Sequence, residues 1–213
     1  MIRVGSRALP GAILAMLMIS PVAAADGPAF IPEPPGLWAG PMVSDTPATL
    51  KGARVIDIPG LEVLMPQKPL LIDVGPADRK PDGLPSSTIW KPAHRSIPGA
   101  VWFPGAGSAD LPDEKVDALL RRIAELTNGD KSAPVVTFCR PKCWGSWNIG
   151  KRLVQAGYSS VHWLPAGVSG WQERNDTTAV TPETGWAPKT PAASAGTFVN
   201  GEPTASDQVS SGN

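Results

Sequence analysis

Five short apolar runs constrain the fold of this chain more than any other feature of its sequence. They are bounded by proline, glycine or polar residues, and they span residues 53–58, 70–74, 100–103, 134–138 and 160–164. Apolar runs of this length are typical of strands that are buried on both faces of a parallel sheet. Parallel neighbours need crossover connections, so we expect helices between the runs.

Two of the intervening stretches have helical periodicity. In "PDEKVDALLRRIAELTNGD" (112–130), apolar residues recur every three or four positions, Pro112 suits the first turn and Gly129 suits the end. In "SWNIGKRLVQAGY" (146–158), a second helix is expected to begin at about Ser146 and to stop at Gly157. The alternation predicts an α/β fold with a mostly parallel five-stranded sheet flanked by helices.

The two ends of the chain differ from this middle part. Residues 26–52 and 181–213 are rich in proline and glycine and lack periodicity, so we interpret them as extended N- and C-terminal arms around a domain at 53–180. Disorder is predicted for the second arm. In the first arm, we favour docking of Leu37 and Trp38 on the domain over a free tether.

Residues 1–25 have the pattern of a secretory signal peptide. Arg3 and Arg7 precede an apolar stretch at about 12–19, and Ala23 and Ala25 have the spacing of a cleavage site. The apolar part is shorter than the roughly 20 residues of a membrane span, so we expect cleavage after Ala25, no retained span, and a periplasmic protein. The rest of the chain has no basic run, which argues against nucleic acid as a partner.

Both cysteines follow the apolar run at 134–138. Cys139 stands at the carboxyl end of that predicted strand, where sites form in parallel sheets, and Cys143 lies in the next turn. The amides of residues 140–145, the following helix and the charges of Arg140 and Lys142 would favour a thiolate. We therefore predict that Cys139 ionises near neutrality, below the usual thiol pKa of about 8.5.

Five stretches in order resemble a rhodanese-like domain over residues 53–175: "LLIDV" (70–74), "SIPGAVWFP" (96–104), "VVTFCR" (135–140), "LVQAGY" (153–158) and "VHWLPAGVSGW" (161–171). Within that group, "CRPKCWGSWNIGKRL" resembles exported proteins named for a CXXCW motif and associated with PQQ-dependent alcohol catabolism. Here three residues separate the two cysteines, so the motif does not match literally.

The resemblance implies roles for individual residues. Cys139 matches the nucleophile that carries sulfane sulfur as a persulfide, and Asp73 matches the acidic residue that ends the second strand. Gly75 and Ser96 depart from the usual Arg and His. The longer loop resembles that of related phosphatases, which need an arginine where this chain has Gly145, so phosphatase chemistry is disfavoured. The predicted substrate-binding residues are Asp73, Arg140, Lys142, Trp144, Gly145 and Ser146.

Three functional hypotheses stay open. The first is a sulfurtransferase that uses a small sulfur donor and an acceptor thiol, with Cys143 resolving the Cys139 persulfide. The second is a non-catalytic module that binds a periplasmic quinoprotein alcohol dehydrogenase through a tryptophan-rich face, with Trp144 as the best candidate for exposure. The third is a thiol–disulfide redox protein. A disulfide that only holds the loop would contribute about 2 kcal/mol before strain.

We predict neither a metal nor a cofactor. His94 and His162 are the only histidines, and their spacing relative to the cysteines fits no standard zinc site. Both are interpreted as structural histidines.

Overall fold

The computed structural model describes residues 30–77, 83–85, 87–89 and 94–187. The predicted signal peptide, Trp90 and the chain from residue 188 onward lie outside these ranges. The described residues from Ile31 onward belong to one unit.

All five apolar runs contribute a strand to one parallel sheet, which confirms the predicted α/β fold. The strands within the described ranges are β1 (Arg54–Val55), β2 (Leu70–Asp73), β3 (His94–Ser96), β4 (Val101–Trp102), β5 (Val135–Phe138), β6 (Val161–Leu164) and β7 (Thr178–Val180). The parallel sheet has the order β1-β6-β5-β2-β4. β3 and β7 form a separate antiparallel pair.

Four α-helices connect the strands: α1 (Ile58–Leu64), α2 (Asp113–Leu126), α3 (Trp144–Gln155) and α4 (Gly167–Trp171). A short 3₁₀-helix, Met65–Gln67, follows α1. Helix α3 begins two residues before the predicted Ser146, because the turn after β5 is shorter than the sequence suggested. None of the helices in the described ranges is long and apolar enough to cross a membrane.

The first apolar run is only partly a strand, so the prediction for residues 53–58 is wrong in its second half. The Asp57 carboxylate accepts a hydrogen bond of 2.9 Å from the Gly60 amide and caps α1. Pro59 stands in the first turn of that helix, where its fixed φ and missing N–H cost nothing. Capping chemistry therefore ends β1 at Val55.

The helices cover both faces of the sheet. On one face, Leu119 of α2 and Leu153 of α3 pack on β2, β5 and β6. On the other face, Leu61 of α1 and Trp171 of α4 do the same. Successive residues of a strand point to opposite faces, so strands between two helical layers must be apolar throughout, as the sequence indicated.

Residues 31–50, which we call the N-terminal strap, run across α3. The Trp38 amide donates to the Asn148 side chain at 2.8 Å, and the Asn148 amide group donates to the Trp38 carbonyl at 2.9 Å. The Trp38 ring stacks on Trp144 with ring centroids 4.3 Å apart. The predicted docking of this arm through Trp38 is confirmed.

Residues beyond 180 also pack on the core of the domain. Trp186 is buried in the same core cluster as Phe103, and the two rings meet edge to face with centroids 5.5 Å apart. The Glu183 amide donates to the Trp102 carbonyl at 2.8 Å. In the sequence, Trp186 stands among polar residues and not in an apolar run, so this contact was not predicted.

Close backbone contact between Gly107 and Gly145 generates a stability prediction. A Cβ atom on Gly107 would lie 2.3 Å from the Cα and carbonyl oxygen of Gly145, so one backbone must shift. We expect Gly107→Ala to lower the free energy of unfolding by about 1–3 kcal/mol, as measured by urea denaturation. Gly36→Ala is the matched control, because a Cβ there meets nothing within 4 Å. Equal stabilities of the two variants would contradict the prediction.

Candidate active site

The two cysteines lie on either side of one tight turn at the carboxyl edge of the sheet. Cys139 directly follows β5, and Cys143 is the residue that precedes the first turn of α3. Lys142, between them, has a positive φ of 58°. Both cysteines carry free thiols and are buried, with exposed fractions of 2% for Cys139 and 7% for Cys143.

The turn directs its hydrogen-bond donors at Cys143. Hydrogen bonding from the Cys139 thiol and from the backbone amides of Ser146, Gly145 and Arg140 favours the anionic form of the Cys143 sulfur and lowers its pKa. These donors outweigh the opposing effect of burial and lower the pKa of Cys143 to about 6. The position at the start of a helix of 12 residues adds to the same effect. These effects favour the thiolate form of Cys143.

Cys139 holds the proton that Cys143 gives up. The hydrogen bond to Cys143, burial, and the negative charges of Cys143 and Asp73 all raise the pKa of Cys139, and only the Arg140 amide opposes them. The raised pKa of Cys139 runs against the prediction that this thiol ionises near neutrality. The main physical causes are the hydrogen bond to Cys143 and burial, which favour the protonated form.

Beneath Cys139, Asp73 is a fully buried carboxylate with a complete set of partners. One oxygen accepts hydrogen bonds from the Ser96 hydroxyl at 2.6 Å and from Nε2 of His94 at 2.8 Å. The other accepts from the Gly75 amide at 2.7 Å. Asp73 is thus closed off from solvent and influences the cysteines through its charge.

His94 and Ser96 belong to the site, although the sequence interpretation treated His94 as structural and Ser96 only as a departure from a pattern. They lie two positions apart on β3, so their side chains point to the same face. The His94 ring also stacks on Trp102, with centroids 4.2 Å apart. The sequence signal that could have identified His94 and Ser96 as site residues is their spacing of two positions just before "IPGA".

The charged side chains of the turn point away from the cysteines. Lys142 is exposed and forms an ion pair with Asp45 of the strap, with an N–O distance of 2.7 Å. The side chain of Arg140 is exposed, while its backbone amide donates to both cysteines. The contribution of Arg140 to the sulfur atoms therefore comes from its main chain.

Trp144 is buried, so the prediction that it is the exposed tryptophan is wrong. Its exposed fraction is 1%, and its indole N–H donates to the Ser44 hydroxyl at 2.9 Å. One face stacks on Trp38, and Trp147 meets it edge to face with centroids 5.4 Å apart. The strap covers the tryptophan-rich side of the loop.

The strap also pairs with the backbone of the turn. Val43 forms an antiparallel bridge with Cys143, the Ser44 amide donates to the Lys142 carbonyl at 3.0 Å, and the Trp144 amide donates to Met42 at the same distance. These bonds satisfy groups at the start of α3 that would otherwise lack partners. With the strap in place, 7% of Cys143 is exposed.

The remaining predicted residues shape the turn. Gly145 packs against Gly107, and a Cβ atom on it would lie 3.5 Å from the Cys143 sulfur. The Ser146 hydroxyl donates to the Cys143 carbonyl and accepts from the Trp163 indole, both at 3.0 Å. Both residues therefore position Cys143, and their backbone amides contact its sulfur.

A metal site is not formed within the described ranges, where no three His, Cys, Asp or Glu side chains gather at ligand distance. His94 belongs to the Asp73 network. His162 lies on β6, where burial and Arg54 lower its pKa, so it is neutral.

Comparison with known proteins gives a family and a fold. Residues 61–174 match the family model for the rhodanese-like domain. The solved structures similar to this chain include the human single-domain sulfurtransferase TSTD1, with 18% identity, a TM-score of 0.35 and coverage of 57% of this chain and 97% of that one. Another is the Tum1 protein from Saccharomyces cerevisiae, with 18% identity, a TM-score of 0.36 and coverage of 55% of this chain and 43% of that one. No curated protein matches the sequence.

The lowered pKa of Cys143 predicts a pH profile for alkylation. The thiolate is the reactive form, so we expect the rate of modification by iodoacetamide to rise as the pH increases through about 6 and to level off above it. Peptide mass analysis should locate the first modification at Cys143. A rate that rises only near the ordinary thiol pKa of about 8.5, or modification first at Cys139, would contradict this.

The contacts of the strap lead to a second prediction, which also concerns the rate at which iodoacetamide modifies Cys143. Trp38→Ala removes the stacking on Trp144 and loosens the strap, so we expect Cys143 to react several-fold faster with iodoacetamide at neutral pH. Val43→Ala is the control: it lies in the strap, but its side chain is 55% exposed and its bridge to Cys143 uses only backbone atoms. If Trp38→Ala reacts no faster than this control, the strap does not limit access.

Proposed function

Since the chain belongs to the rhodanese-like domain family, we propose that it is a sulfurtransferase that carries sulfane sulfur as a persulfide on its cysteine pair. One observation carries this proposal. The free thiols of Cys139 and Cys143 lie on one turn between the end of β5 and the start of α3, where backbone amides favour a sulfur anion.

A small sulfur donor such as thiosulfate suits the chemistry. The thiolate attacks the outer sulfur of thiosulfate, the sulfur–sulfur bond of the donor breaks, and sulfite leaves with the bonding electron pair. The negative charge passes to the outer sulfur of the new persulfide. Amides that stabilise the thiolate would also stabilise the persulfide anion. The site would therefore stabilise negative charge both before and after the sulfur transfer.

The alternative accessory role has less support than the sulfurtransferase. It requires a tryptophan-rich face that a partner protein can contact, whereas the strap covers Trp144 and Trp147 in the structure. A thiol–disulfide redox function would use the same two cysteines. The products of the reaction with thiosulfate distinguish that function from a sulfurtransferase.

The cellular setting is part of the proposal. The pattern of residues 1–25 supports export, and the similarity of "CRPKCWGSWNIGKRL" to the CXXCW proteins supports an association with PQQ-dependent alcohol oxidation. In an exported protein, the cysteine pair would need a reductant to stay available for sulfur transfer.

Sulfite release tests the proposed function. Full-length protein, reduced and then freed of reductant without oxygen, should release one equivalent of sulfite per chain when it is mixed with thiosulfate. The double variant Cys139→Ser/Cys143→Ser should release none while it unfolds at the same temperature as the wild type. If the wild type, with both thiols shown to be free, releases no sulfite, it is not a thiosulfate sulfurtransferase.

A further inference from the structure

We propose that the chain has a second binding site, for a small organic molecule that carries an oxoanion group such as a carboxylate or a phosphate. The site is a cavity of about 400 Å³ between the start of β1, the end of α1, the 3₁₀-helix and the start of β6. Polar side chains form much of its lining: Arg54, Gln67, Ser159, Ser160 and His162. This site goes beyond the proposed sulfur transfer and does not depend on it.

The cavity and the cysteine turn lie at opposite edges of the parallel sheet. Arg54 begins β1 and Ser160 directly precedes β6, so both lie at the amino edge, whereas Cys139 directly follows β5. His162 is the Cα partner of Val136, which lies three residues before Cys139. At roughly 3.3 Å per residue, about 10 Å of strand separates the two levels. The cavity is therefore distinct from the candidate active site.

The charge around the cavity favours an anion. The lining residues and their direct neighbours in sequence include three basic residues, Lys51, Arg54 and Lys68, and no aspartate or glutamate. The whole chain has equal numbers of basic and acidic residues, 19 of each, so this local excess does not follow from its composition. All three basic residues are exposed. They give this part of the surface a positive potential, which attracts negatively charged ligands.

Arg54 is the group best placed to bind the oxoanion. Its charge acts on the neighbouring ring of His162 and lowers the pKa of that ring, so the guanidinium lies near the cavity wall. Within the described ranges, none of the ion pairs involves Arg54. A guanidinium presents its N–H donors in a planar fork that matches two oxygens of a carboxylate or a phosphate. Arg54 is therefore available for a ligand of this class.

His162 and Ser160 add neutral hydrogen-bonding groups. His162 is 8% exposed, and its Nε2 lies 3.4 Å from the Ser160 hydroxyl. Its Nδ1 is buried and has no hydrogen-bond partner among the residues that the structure describes. Buried polar atoms are normally satisfied by protein, water or a ligand, so the ring retains a hydrogen-bonding capacity that the fold itself does not use.

The size and the mixed lining of the cavity indicate an organic ligand and not a bare inorganic ion. Sites for small molecules generally have volumes of about 300–1,000 Å³, and this cavity falls within that range. Leu64 and Val161 line it beside the polar groups, so the carbon atoms of a ligand would have apolar contacts. The exposed amide of Gln67 can bind a further polar group of the ligand.

Calorimetric titration tests the site. Full-length protein at low ionic strength should bind one molecule of glycerol 3-phosphate or of succinate per chain in a saturable manner, and it should not bind uncharged glycerol. The tighter of the two anions identifies the oxoanion that the site prefers. The proposal would be overturned by a lack of saturable binding of both anions, by equal binding of glycerol, or by tighter binding of inorganic phosphate than of either organic anion.

Arginine variants locate the bound anion. Arg54→Gln should weaken the binding of the tighter anion about ten-fold or more, because a charge-assisted hydrogen bond is lost. Arg54 is exposed, so the fold should tolerate glutamine. Arg121→Gln is the matched control, since Arg121 is an exposed arginine on α2 that does not line the cavity, and its affinity should equal that of the wild type. Equal affinities of the two variants would overturn the assignment to Arg54.

Two further variants test the remaining parts of the assignment. Ser160→Ala leaves the charge unchanged and should weaken binding several-fold, and wild-type affinity would remove Ser160 from the site. The double variant Cys139→Ser/Cys143→Ser should bind the anion as the wild type does, because the cavity lies at the other edge of the sheet. Loss of binding in that variant, at an unchanged unfolding temperature, would place the ligand at the cysteine turn and overturn the proposal.

Discussion

The buried carboxylate of Asp73 holds together the part of the molecule on which the chemistry depends. It lies at the end of β2, accepts hydrogen bonds from β3 through His94 and Ser96, and fixes the turn at Gly75. A buried charge that lost its partners would cost roughly 3–5 kcal/mol, so these strands are held in one arrangement. The same charge adds to the larger effects of Cys143 and of burial, which together raise the pKa of Cys139.

A second constraint comes from α3, whose first turn is completed by distant parts of the chain. The strap supplies acceptors and donors to the backbone around Cys143, and Gly107 allows the turn to approach its neighbour closely. A helix start generally leaves several amides without partners. Here some of these amides bind the strap and others bind the Cys143 sulfur, so protein packing and sulfur chemistry use the same group of donors.

The sheet and the position of the site were predictable from the sequence because both follow from local patterns. Apolar runs such as 70–74 and 134–138 have no other stable place than a sheet covered on both faces, and the end of such a strand is where Cys139 had to lie. The ionisation of the pair was not predictable. It depends on amide directions in a turn with a positive φ at Lys142, which the residue types do not specify. The cover over Trp144 was missed because its partner, Trp38, lies more than a hundred residues away in sequence.

The stacked indoles of Trp38 and Trp144 have a consequence for observing the protein at work. Their centroids are 4.3 Å apart, and Trp147 and Trp163 belong to the same cluster. Indole emission and ring–ring coupling respond to changes in contact of this kind. Any movement of residues 31–50 that uncovers Cys143 must also separate one ring of this cluster from the others. The chain therefore contains an intrinsic optical reporter of strap movement at Trp38, which requires no added dye.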